Sequence, residues 1–112
     1  MRTTACEMLG RRGGRDAVRL LSKTVAGDIN ADVRLAATRA LGATGDPSAV
    51  PGLAVALEDS DPTMQYRAVL SLKEVTDEDF GKDISLWRQY VRGENPTPPP
   101  QPSLAQQIRN LF

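Results

Sequence analysis

Side chains able to do chemistry are few in this sequence, and their spacing does not assemble a catalytic centre. There is no histidine, which removes the commonest general base and metal ligand. The single cysteine, Cys6, has no second thiol or imidazole with which to hold zinc. Asp77, Glu78, Asp79 and Asp83 cluster, but without the alternation of a calcium loop, and read as a solvated turn. Gly10-Arg11-Arg12-Gly13-Gly14 lacks the Gly-Lys-Ser/Thr ending of a phosphate-cradling loop and reads as a turn between helices. Arg11, Arg12, Arg15 and Arg19 remain, a concentration of cations able to contact phosphate. A nucleic-acid reader would need aromatic side chains among them, and Tyr66, Phe80, Trp87, Tyr90 and Phe112 all lie in the other part of the chain. No catalytic, cofactor-binding or metal-binding residue is therefore assigned, no cofactor is expected, and nucleic acid is not the expected partner. The four arginines stand as candidate contacts to a protein.

The elements that carry these residues repeat. Met1-Arg2, Ala5 and Met8-Leu9-Gly10 align, each at i+32, with Val33-Arg34, Ala37 and Ala40-Leu41-Gly42. The same offset relates Ala17-Val18, Leu21 and Val25 to Ala49-Val50, Leu53 and Leu57. A third copy follows at i+31, with Met64, Ala68 and Leu72 in the places of Val33, Ala37 and Leu41. Positions 33, 37, 40 and 41 share one helical face, and Ala in its middle lets a neighbouring helix come close. Gly42 and Gly45 are expected to bracket the turn that follows. Asp46-Pro47 reads as an N-cap followed by the first residue of a helix presenting Val50, Leu53, Ala54 and Leu57. Pro51 should distort the first turn of that helix, because it removes a backbone donor. Cys6 falls where Thr38 and Val69 stand in the other copies, off the main apolar face, and is expected to be incidental rather than reactive.

The pattern of residues 33–53, Val-Arg-x-x-Ala-x-x-Ala-Leu-Gly-x-x-Gly-Asp-Pro-x-Ala-Val-Pro-x-Leu, resembles the short HEAT-like repeat family, which includes phycobilisome chromophore lyase subunits, deoxyhypusine hydroxylase and many bacterial proteins. The resemblance covers residues 1–75 and implies an all-α fold, a right-handed α-solenoid of about three helix pairs. It implies a non-catalytic scaffold for protein–protein interaction; because Met1 already stands inside the repeat pattern, the chain is expected to be the C-terminal part of a longer solenoid or to have its first helix covered by another chain. An accessory subunit of an enzyme or lyase is the alternative. Deoxyhypusine hydroxylase chemistry needs His-Glu iron sites, which a chain without histidine does not supply.

The two ends differ. The first helix begins inside the repeat pattern, so its stripe of Met1, Ala5, Met8 and Leu9 is expected to lack a cover, with self-association or fraying as the outcome. Past Val75 the consensus ends. Asp83 should cap a helix whose Ile84, Trp87 and Val91 close the last repeat together with Phe80, completing a solenoid over residues 1–93. Residues 94–112 form a separate tail. Five of the eight prolines lie in Pro96–Pro102, a run that favours an extended polyproline II spacer. Leu104, Ile108, Leu111 and Phe112 would then line one side of a short helix able to dock on a partner.

Net charge is zero, from fourteen basic and fourteen acidic residues, but residues 1–40 hold eight basic and four acidic side chains and the remainder six and ten. A dipolar chain of this kind can orient a charged partner. No stretch approaches the roughly 20 apolar residues that span a bilayer, and the first residues lack a secretory signal's hydrophobic run. The expected setting is soluble and cytoplasmic, with no stable membrane insertion.

Overall fold

A computed structural model of the chain describes residues 2–96 together with Ile108, Arg109 and Leu111. Among them are six α-helices: α1 (Arg2–Arg12), α2 (Arg15–Gly27), α3 (Ala31–Ala43), α4 (Val50–Leu57), α5 (Pro62–Thr76) and α6 (Ile84–Val91). Odd-numbered helices pack on one another in sequence and form one layer; α2, α4 and α6 form the second. Each helix of one layer also touches its chain neighbours in the other. The result is an α-solenoid of stacked antiparallel pairs, as the repeat offsets predict.

Short polar side chains set where each helix starts. Asn30 accepts from the Asp32 and Val33 amides to begin α3, and Asp61 accepts from Thr63 N (2.9 Å) to begin α5. Asp83 accepts from Leu86 N (3.2 Å) at the start of α6. Between α3 and α4, Asp46 accepts from Ser48 N (2.9 Å) and opens a 3₁₀ turn over Pro47–Ala49. That turn is the distortion expected from Pro51. Proline has no N–H to donate to the Pro47 carbonyl, and Val50 N takes that acceptor instead. Gly45 (φ 63°) makes the turn, as expected.

Gly42 does not. It lies inside α3 and is buried, and a Cβ there would stand 2.7–2.9 Å from Ser71 of α5. Its counterpart Gly10 in α1 would likewise bring a Cβ to 2.9–3.0 Å from the backbone and Cβ of Ala40. These glycines let successive odd-numbered helices touch backbone to side-chain root. Ser71 locks one contact by donating its Oγ–H to the Thr38 carbonyl (2.8 Å), while Thr38 donates to the Arg34 carbonyl (2.9 Å). Both hydroxyls are fully buried and both have an acceptor, so their burial is tolerated. In the other layer Gly52 packs on Ser22 and Leu41 in the same manner.

The core runs between the layers through Leu21, Leu41, Leu53, Leu57 and Leu72, all fully buried. At the α5–α6 end the repeat stops. Lys73 occupies the place of Gly42 in the third copy, and pairs with Asp79 (3.3 Å) instead of admitting another helix. Trp87 is fully buried there, edge-on to Phe80 (centroids 4.9 Å), with its Nε1–H donating to the Gly81 carbonyl (3.1 Å). Tyr90 completes the aromatic cluster.

Candidate functional site

The four candidate arginines do not form one patch. All are exposed, but Arg12 and Arg15 flank a shallow groove of ≈ 430 Å³ at the α1–α2 corner, together with Leu9 and Leu20. Arg11 faces a separate groove between α1 and α3, beside Glu7 and Arg39 over a floor of Ala36, Ala40 and Ala43. Arg19 lies on α2 and lines neither. Of the tail residues, Ile108 and Leu111 are exposed, while Leu104 and Phe112 lie outside the described residues.

The repeat register shows what the α1–α2 corner is. Ala40 packs on Gly10 and Ser71 on Gly42, so this position of an odd-numbered helix faces the pair before it. Its counterpart in α1 is Met8. Gly52 of α4 packs on Ser22 of α2, and its counterpart in α2 is Leu20. Met8 and Leu20 therefore both point out of the N-terminal end of the stack. They are 64% and 51% exposed, where Ala40 and Ser71 are 3% and 0%. Ala5 is exposed on the same helix and Leu9 is half-buried; Met1 lies outside the described residues. Neither its own type nor the helical pattern singles out Leu20. The signal lies in the repeat, as a large apolar residue where the next copy has glycine.

Other reactive groups are withdrawn from solvent. Cys6 is buried rather than set off the apolar face, because α1 packs a second stripe against α3. Burial pushes the Cys6 thiol above its ordinary pKa, and the charges of Asp28 and Glu7 push it further, so the nucleophilic thiolate is disfavoured. Thr38 and Val69, its counterparts, are buried by the same stacking. Trp87 is closed inside the C-terminal cluster and offers no binding surface. Among the described residues no three His, Cys, Asp or Glu side chains converge as metal ligands, and no helix is long and apolar enough to cross a membrane.

Two layers of antiparallel helices, built from recurring pairs and joined by glycine contacts, define an α-solenoid repeat protein. The family model described as HEAT repeats matches residues 1–73, and the chain belongs to that family. No curated protein and no solved structure matched it. HEAT repeats form scaffolds for protein interaction.

Proposed function

We propose that this protein is a non-catalytic HEAT scaffold that binds a protein partner, and that it takes the closing position of a helical stack. The observation that carries this reading is the contrast between its ends. Lys73 and the Phe80–Trp87–Tyr90 cluster finish one end, whereas Met8 and Leu20 hold the outward positions of the other without cover. Large exposed apolar side chains at stacking positions favour association over isolation. The tail contributes a second contact through Ile108 and Leu111, both exposed.

Affinity capture from the native organism tests the proposal, using the full chain, the chain lacking 94–112, and the Met8→Glu/Leu20→Glu double variant. A stoichiometric protein partner retained by the full chain and lost from a variant is the expected result. A purified chain that carries a pigment or a metal absorbance, or turns over a substrate unaided, would refute a purely scaffolding role.

A further inference from the structure

We infer that the groove between α1 and α3 binds an acidic segment of a partner protein, with Arg11 and Arg39 as its carboxylate-binding residues. The inference rests on the scaffold reading and adds the surface and the chemistry of what it takes. Its ground is a comparison of two successive grooves on the same side of the odd-numbered layer.

The α3–α5 groove is filled from within. Arg67 of α5 lies half-buried there, donating to Ser71 Oγ from Nε (3.4 Å) and Nη2 (3.3 Å) and to Glu74 Oε1 (2.9 Å). Residues 31 positions earlier hold the same places in the α1–α3 groove, and they are Ala36, Ala40 and Ala43. Guanidinium, hydroxyl and carboxylate are all missing, and a cavity of ≈ 340 Å³ stands in their place. Gly10 already brings α1 to backbone contact with Ala40, so the helices have no room to draw closer and close it. Pairs stack along the direction in which Ala40 meets Gly10 and Ser71 meets Gly42. The groove opens across that direction, and no residue of α2 or α4 lines it. A further pair stacked on either end would leave it open.

Charge decides what enters. The rim carries Arg11 and Arg39 against one carboxylate, Glu7. All three are exposed, and among the described residues none of them forms an ion pair. The C-terminus of α1 accounts for Arg11, but Arg39 sits inside α3 with no acidic residue three or four positions away. A partner's Asp or Glu fits both demands: its methylenes cover the alanine floor, and its carboxylate accepts from the two guanidiniums. No aromatic side chain lines the groove, so it offers a nucleic-acid base nothing to stack on.

The test uses three synthetic peptides, identical except at paired positions that hold glutamate, glutamine or lysine. The full chain should bind the glutamate peptide at least about tenfold more tightly than its glutamine twin, and added salt should narrow the difference. Arg11→Glu/Arg39→Glu should reverse the preference toward the lysine peptide. Arg12→Glu/Arg15→Glu makes the same change in net charge at the α1–α2 corner and should leave glutamate affinity within about threefold. The α5 residues can also be transplanted. Ala36→Arg/Ala40→Ser/Ala43→Glu should fill the groove and weaken glutamate binding by more than about tenfold, with helical content unchanged. If that variant unfolds, the charge reversal and its corner control still decide. Equal binding of the glutamate and glutamine peptides, no measurable binding of the glutamate peptide, equal damage from the groove and corner variants, or undiminished binding by the folded transplant overturns the proposal. So does a single-stranded oligonucleotide bound more tightly than the glutamate peptide. A native partner captured equally well by Arg11→Glu/Arg39→Glu would leave the scaffold reading standing while removing this site.

Discussion

Met8 and Ala40 occupy one position of the repeat, and Leu20 and Gly52 another, yet their surroundings are opposite. Ala40 and Gly52 have a preceding helix pair against them at distances that would not admit one further carbon at Gly10 or Gly52. Met8 and Leu20 have solvent. A repeat residue is thus small for what packs on it rather than for the helix it belongs to. The size of the side chain at a stacking position reports how closely its neighbour comes. At the other end the same logic runs through charge: Lys73 replaces the glycine that would receive a further helix, and an aromatic cluster covers what remains.

The contrast predicts unequal sensitivities. The largest belongs to the closed end. Trp87→Ala removes a fully buried ring with two aromatic neighbours and should cost about 3–5 kcal/mol, read as a loss in chemical denaturation midpoint. Trp87 is the only tryptophan, so its emission should be blue-shifted in the folded chain and move red on unfolding. A loss under about 1 kcal/mol would mean that the last pair needs no closure.

The seam comes next. Gly42→Ala places a carbon 2.7–2.9 Å from Ser71, with backbone among the atoms that must move, and should cost about 1–3 kcal/mol despite alanine's better helix propensity. Met8→Ala and Leu20→Ala at the open face should each stay within about 0.5 kcal/mol. Thermal melting of the three variants checks both halves. If Gly42→Ala is stabilising, helix propensity outweighs the stacking contact and the size rule fails; if Met8→Ala is as damaging as Gly42→Ala, the face is already covered.

Much of this was legible because helical caps and leucines are strong local signals. Asp46-Pro47, Asp83, Leu41 and Leu72 can be placed from type and spacing alone, and the strained start at Pro51 follows from its missing donor. What could not be read was the second buried stripe. A helix held between two neighbours buries two faces, and here the second mixes Cys6 and Val69 with Thr38, Ser71 and glycine, whose polar and glycine members break the hydrophobic pattern. Ser71 is buried because its hydroxyl has a carbonyl on the adjacent helix, a fact of three-dimensional pairing with no trace in the periodicity. Gly42 belongs to the stacking seam and not to the turn for the same reason: glycine marks both positive φ and close approach, and sequence alone does not separate them. The arginine cluster fails differently. Arg11, Arg12, Arg15 and Arg19 are neighbours in the chain, but a helix end and a turn send Arg11 to one groove and Arg12 and Arg15 to another, and leave Arg19 outside both.

The smallest expected effect separates the turns of the first and second pairs. Asp46 starts the α3–α4 connection, and its counterpart in the preceding copy is Gly14, which has φ 90° and no side-chain cap. The hydrogen bond from Ser48 N holds the Asp46 carboxyl below its ordinary pKa, with the Ser48 side chain and Arg15 adding to the shift against a small opposing desolvation. Because the folded pKa is the lower one, the stabilisation is present in full above the ordinary carboxylate value. It is lost as pH falls through the lowered value. Asn caps a helix about as well as Asp but carries no charge to titrate. Asp46→Asn should therefore melt close to wild type at neutral pH and lose slightly less stability on acidification. Asp79, lowered mainly by its bond from Gly81 N and also by Lys73, continues to titrate in both proteins, so only the difference between the two acid profiles reports Asp46. Superimposable profiles would show that the second turn, like the first, is held by its glycine and its packing without help from the cap.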